Sequence, residues 1–247
     1  MDIKEKIVEV LRKSNINFNN LYEDNYDAVT EILRQELPNT KIAFDSGLSK
    51  LVILIPNEDV VIKIPYSQMF DSDSYNSDYS YWDSGEAEED YAEPMEENYL
   101  VKFECATSDK VTTSSNWDYC ELECAFYEAA YEEGLAQYFA KEELYAMVLD
   151  QPIYIQERVV PLDVEISSSR KTYTEETKET SKRCDELDIR CFNSIWITDF
   201  FNCYGETEFV KLSNFLKKMS IYDLHSGNLG YLHGAPVLLD YSDFREW

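Results

Sequence analysis

Asp223 opens the run Asp-Leu-His-Ser-Gly-Asn near the end of the chain, Asn228 closes it, and Asp240 follows after two short apolar stretches. Those stretches, residues 229–231 and 237–239, are separated by Leu-His-Gly-Ala-Pro, a turn signal that predicts a small hairpin. A hairpin would draw Asn228 and Asp240 together. Magnesium prefers hard oxygen ligands and keeps few protein partners, so one amide and one carboxylate with triphosphate oxygens could complete its octahedron. Asp223 would then be left to meet a hydroxyl group.

Such a site needs a scaffold, and the residues before it supply candidates. Residues 41–44, 50–55 and 60–64 read as three strands, the last two joined by Pro-Asn-Glu-Asp, a strong turn. The third strand, VVIKIP, holds a lone charge: Lys63 lies between Ile62 and Ile64 and alternates to the opposite face. The loop between the first two strands, residues 45–49, contains only Gly47, which permits one unusual backbone conformation and so a loop over phosphates with few close approaches. Residues 116–134 read as a helix, with Leu122, Phe126, Ala129 and Ala130 at helical spacing and Gly134 as its cap. Glu121, Glu123 and Glu128 lie on it. Residues 145–149 and 153–158 read as two more strands, and residues 206–219 as a helix with Phe209, Leu212, Phe215 and Leu216 inward. Residues 167–190 are polar and read as an exposed loop or helix without a core face of their own.

The run DLHSGN followed by VLLDYSDF resembles the catalytic loop of the protein-kinase-like superfamily. It is nearest the aminoglycoside-phosphotransferase branch, whose loop reads roughly HGDLHPGN; here Ile221 and Tyr222 stand where that loop has His-Gly. The resemblance implies that Asp223 orients or deprotonates an acceptor hydroxyl, and that Asn228 and Asp240 hold magnesium. It further implies that Lys63 reaches the phosphates of ATP, that Glu123 pairs with Lys63 (Glu121 being the alternative), and that the loop at Gly47 covers the nucleotide. Residues 156–160, beginning at Gln156, would form a hinge presenting backbone groups to adenine. The implied fold is α+β: a kinase-like two-lobe arrangement, with an antiparallel sheet plus helices in the small lobe and a reduced, mostly helical large lobe. Residues 1–40 would be N-terminal helices packing on the small lobe, 41–160 that lobe with an acidic insertion at 67–98, and 161–247 the large lobe with the catalytic-loop hairpin. Only seven residues follow Asp240, which implies no activation loop or peptide-docking helices of the kinase kind. Two functions fit: an ATP- and magnesium-dependent phosphotransferase, or a catalytically inactive kinase-fold protein that captures a basic partner.

Charge narrows the partners. The chain has 247 residues and a formal net charge of −27, which argues against nucleic-acid or anionic-membrane binding, because phosphate contacts need Lys and Arg. Between residues 67 and 101 there is no basic residue, while eleven Asp and Glu are interleaved with Tyr75, Tyr79, Tyr81, Trp82 and Tyr91. Purely solvating segments are poor in aromatics, so this stretch also fits a docking surface for a basic protein. Six cysteines without a CxxC pair, and only two histidines, argue against zinc and for reduced thiols. Neither a long apolar run nor a signal peptide is present, which points to the cytoplasm.

Overall fold

The computed structural model describes residues 2–14, 16, 26–46, 50–65, 119–149, 151–169, 173–219 and 221–241. Gly47 and the acidic stretch 67–98 lie outside them. Among the described residues the fold is α+β: seven α-helices, a five-stranded antiparallel sheet and a three-stranded one. None of these helices is long and apolar enough to cross a membrane.

Helix α1 (Ile3–Lys13) starts where Asp2 accepts from the Lys4 amide and Glu5 reaches back to the Asp2 amide, a reciprocal cap that satisfies two orphan N–H groups. Its Ile7, Val8 and Leu11, with Val29 and Leu33 of α2 (Tyr26–Glu36), bury against one face of the large sheet. That face is built from Leu51 and Ile53 of β2 (Lys50–Leu54), Ile62 and Ile64 of β3 (Val60–Pro65), Val148 of β4 (Glu142–Val148) and Ile153 of β5 (Gln151–Glu157). The two helices thus cover one face of the sheet. With β1 (Ala43–Ser46) at the edge, the strands run β1-β2-β3-β5-β4. The turn joining β2 and β3 places Pro56 before Asn57 at φ 63°, and the Glu58 amide donates to Ile55 O at 3.4 Å, as a type II turn requires.

Strand alternation sends the other set of side chains to the opposite face. Val52 pairs with Lys63, Lys63 with Tyr154, Val61 with Gln156, and Gln156 with Glu142. Lys50, Lys63, Gln156 and Glu142 thus share one side of the sheet, and helix α3 (Tyr119–Glu132) lies toward it. The helix ends at Gly134, φ 72°, where Leu135 N donates to Ala130 O at 2.7 Å, the six-to-one bond that favours glycine at this position.

A second core collects Leu122, Phe126 and Ala130 of α3 with residues of α4 (Leu162–Ser169), α5 (Glu175–Glu186), α6 (Ser194–Tyr204), α7 (Glu206–Lys218), β7 (Leu229–Leu232) and β8 (Ala235–Leu238), while β6 (Val160–Pro161) pairs with β7 outside it. Phe209, Leu212, Phe215 and Leu216 of α7 point inward, as their spacing predicts. Residues 167–190 differ from expectation: α5 does own a core face, made of Thr177, Thr180 and Cys184, with Thr198 Oγ1 donating to Thr180 Oγ1 at 2.7 Å. Two threonines and a cysteine bury well once their hydroxyls bond inside the packing, but they leave no apolar periodicity to read.

The expected hairpin is β7-β8, turned by His233 and Gly234 with φ 53° and 85°, a type I′ turn. Its C-terminal end is tied down twice to Ala140. Ala140 N donates to Leu238 O at 2.8 Å, and Tyr241 Oη donates to Ala140 O at 2.8 Å. Gly230 admits the close passage of β6: a Cβ there would lie 2.4 Å from Val159 Cγ1 and 2.6 Å from the Val160 carbonyl oxygen. Gly230→Ala should therefore cost about 1–3 kcal/mol of overpacking, read as a fall in the urea midpoint; an unchanged midpoint would mean that β6 yields freely.

Candidate functional site

Five charged side chains converge between the sheet and α3. Lys63 Nζ donates to Glu123 Oε2 at 2.5 Å and to Glu142 Oε2 at 2.7 Å, and Lys50 Nζ bonds Glu123 Oε1 and lies 3.3 Å from Asp240 Oδ1. Glu123 thus joins both ammonium groups. It is wholly buried, whereas Glu121, the alternative partner, is exposed on the outer side of α3. Gln156 completes the arrangement, its Nε2 donating to Leu239 O at 2.8 Å and to Glu123 Oε2 at 3.4 Å.

Charge count and burial set the electrostatics. Three carboxylates face two ammonium groups, so with every group ionised the cluster carries one net negative charge. Burial, then the neighbouring Glu142 carboxylate, raise the pKa of Glu123 despite the two lysines beside it. Burial likewise raises Asp240, although 31% of its side chain stays exposed and water screens part of that effect. Burial alone would lower Lys63, but Glu123 and Glu142 outweigh it and raise the group. Asp240 and Glu123 do the same for Lys50. Both lysines stay protonated throughout the neutral range. Glu142 Oε1 is buried without a hydrogen-bond donor, which makes this corner the costliest in the cluster to leave uncompensated.

The hairpin brings Asn228 to Asp240 through the backbone: Leu239 N and Asp240 N both donate to Asn228 O, at 3.0 and 3.4 Å. The Asn228 side chain turns to Asp223, its Nδ2 donating to Asp223 O at 2.7 Å and Oδ2 at 3.2 Å. Among the described residues no group of three or more His, Cys, Asp or Glu is arranged to hold a metal. Asn228 and Asp240, the residues expected to hold magnesium, meet here through the backbone, while their side chains engage Asp223 and Lys50. His225 shapes the loop, its Nδ1 accepting from Gly227 N at 3.0 Å.

Two of the converging residues carry signals that the sequence reading passed over. Lys50 stands at the start of β2, on the face of Val52, which pairs with Lys63; alternation from Lys63 would have found it. Glu142 precedes the apolar residues from which β4 was expected to begin, so the strand starts three residues earlier than that pattern implied. Gln156 departs from its expected role. Residues 156 and 157 of the expected hinge, 156–160, lie inside β5, where Gln156 pairs with Val61 on one side and Glu142 on the other. Its side chain, not an open backbone, does the bonding. The five described cysteines are thiols outside any disulfide, and burial, then Glu142, push Cys120 well above the ordinary thiol range, which makes it a poor nucleophile.

Compared with known proteins, the chain matches no family model and no curated sequence.

Proposed function

We propose that this chain is a minimal kinase-like protein that binds ATP with magnesium and transfers phosphate to an acceptor hydroxyl. The observation that carries this reading is the Lys63–Glu123 pair, formed between β3 and α3 and joined through Lys50 and Gln156 to the segment bearing Asp240. A strand lysine, a helix glutamate and a carboxylate following an Asp-x-x-x-x-Asn loop are the parts that phosphoryl transfer uses for positioning and charge stabilisation. They occur here in the chain order that the resemblance implies, on an antiparallel sheet followed by helices and a hairpin.

Each residue then has a task. Glu123 fixes the lysines, Asn228 and Asp240 offer the metal-binding oxygens, and Asp223, with 30% of its side chain exposed, faces a hydroxyl. Magnesium, when bound, neutralises charge on the phosphate oxygens. Asn228 holds Asp223 in place by its two donated contacts, so the acceptor-facing and metal-facing residues are set by one amide.

ATP with magnesium, at about 100 times its dissociation constant, should stabilise the fold by about 2.7 kcal/mol, and Asp240→Ala should remove most of that gain. Thermal unfolding with and without each ligand measures it. A wild-type protein indifferent to ATP and magnesium overturns the reading.

One observation favours a second reading, a catalytically inactive binding protein of the same fold. Lys63 is 3% exposed and already engaged by two buried carboxylates, a closed arrangement that holds the fold together without a nucleotide. Nucleotide binding without turnover on water, on the protein itself or on small hydroxyl acceptors would select it.

A further inference from the structure

We propose that Lys50, and not Lys63, is the cation of this site that contacts the nucleotide's phosphates. The inference rests on the nucleotide-binding reading above and assigns the phosphate contact within it. Lys63 is anchored on both sides: its ammonium lies between Glu123 and Glu142, whose side chains are wholly buried, at 2.5 and 2.7 Å. Withdrawing it would leave Glu142, whose other oxygen has no donor, as an uncompensated buried charge. Lys50 is held differently. It shares Glu123 with Lys63, and its second contact is Asp240 at 3.3 Å, where the carboxylate keeps 31% exposure. Of the two lysines, Lys50 alone has a partner that reaches water.

The register explains how one lysine can serve as an anchor and the other as a contact. Val52 stands opposite Lys63, so Lys50, two residues along β2 on the same face, approaches Glu123 from a position diagonal to Lys63. Both ammonium groups converge on one carboxylate, which keeps Lys50 oriented whichever second partner it has. Asp240, which water reaches, is the contact Lys50 can give up, and Glu123 would remain the tether of an ammonium turned toward an anionic phosphate.

The experiment compares affinities of ATP and adenosine, with magnesium present, for wild type and Lys50→Met. A structural role for Lys50 would weaken both ligands alike, whereas a phosphate contact weakens ATP alone. Loss of one charge-assisted contact should lower the ATP-to-adenosine affinity ratio about 10- to 100-fold. An unchanged ratio in a folded variant that binds ATP overturns the assignment to Lys50 and leaves the nucleotide reading standing. A wild type that binds neither ligand overturns both. Should Lys50→Met fail to fold, an acyl-phosphate derivative of ATP on the wild-type protein decides the matter. The lysine ammonium first gives a proton to solvent; the neutral amine then attacks the acyl carbon, an amide forms, the carbon–oxygen bond to phosphate breaks, the nitrogen loses a second proton and ATP leaves. Peptide mapping should place the ATP-competed acyl group on Lys50; acylation of Lys63, or of neither lysine, rejects the proposal.

Discussion

Glu123→Ala is expected to lower the free energy of unfolding by about 3–5 kcal/mol, because it removes the carboxylate that two buried ammonium groups share. The hydrophobic change is minor beside this. Alanine leaves Lys50 with only Asp240 at 3.3 Å, and Lys63 with Glu142 alone, in a pocket where water cannot replace the lost contacts. Glu121→Ala, two residues earlier on the same helix but exposed, should stay within about 0.5 kcal/mol of wild type. Urea unfolding of the three proteins, with slopes compared to confirm a common denatured state, makes the measurement. A loss below about 1 kcal/mol for Glu123→Ala would mean that the lysines find other partners, and the cluster would not be the pivot described above.

The same cluster sets an alkaline limit. Glu123 and Glu142 raise Lys63, and Asp240 and Glu123 raise Lys50, each against the lowering effect of burial. A lysine raised in the folded state binds its proton more tightly there than in the unfolded chain, so its contribution is complete below the unfolded value, about 10.5. It drains away only as pH climbs beyond that value through the folded one.

Why some of this site could be read from the residues, and some not, follows from what each residue has to hide. Lys63 announced itself because a charge inside VVIKIP has no ordinary place on an apolar strand. The hairpin was legible because His-Gly between two apolar runs supplies the positive φ values that a type I′ turn demands. Lys50 stands where a strand begins, a place where charge is unremarkable, and only the register against Lys63 gives it meaning. Glu142 looked like loop because its compensation comes from Lys63, far away in sequence. Gln156 shows the limit of arguing from backbone alone: its amide ties β5 to Leu239 and so to the Asp240 segment, a contact that no local pattern encodes. Helix α5 escaped for the opposite reason, since Thr177, Thr180 and Cys184 are buried but not conspicuously apolar.

Asp223→Asn is expected to cut phosphate transfer by about 100- to 10,000-fold while leaving ATP affinity within about twofold of wild type. The separation follows from position. Asp223 bonds the Asn228 amide at the open end of the loop, while the charged cluster is assembled from Lys50, Lys63, Glu123, Glu142 and Asp240. The substitution preserves shape and keeps the contact from Asn228 Nδ2 to the Asp223 backbone oxygen at 2.7 Å, so the loop should hold its course. What it removes is a carboxylate able to accept a proton from an attacking hydroxyl. Transfer to small hydroxyl acceptors, or slow hydrolysis of ATP by water, supplies the rate, and calorimetric titration supplies the affinity. If ATP affinity falls together with the rate, Asp223 acts by shaping the Asn228 loop and its role at the acceptor is lost. If the variant turns over as fast as wild type, the proton goes elsewhere. A wild type that binds ATP and transfers nothing assigns the whole constellation to binding, with Asp223 serving only to orient Asn228.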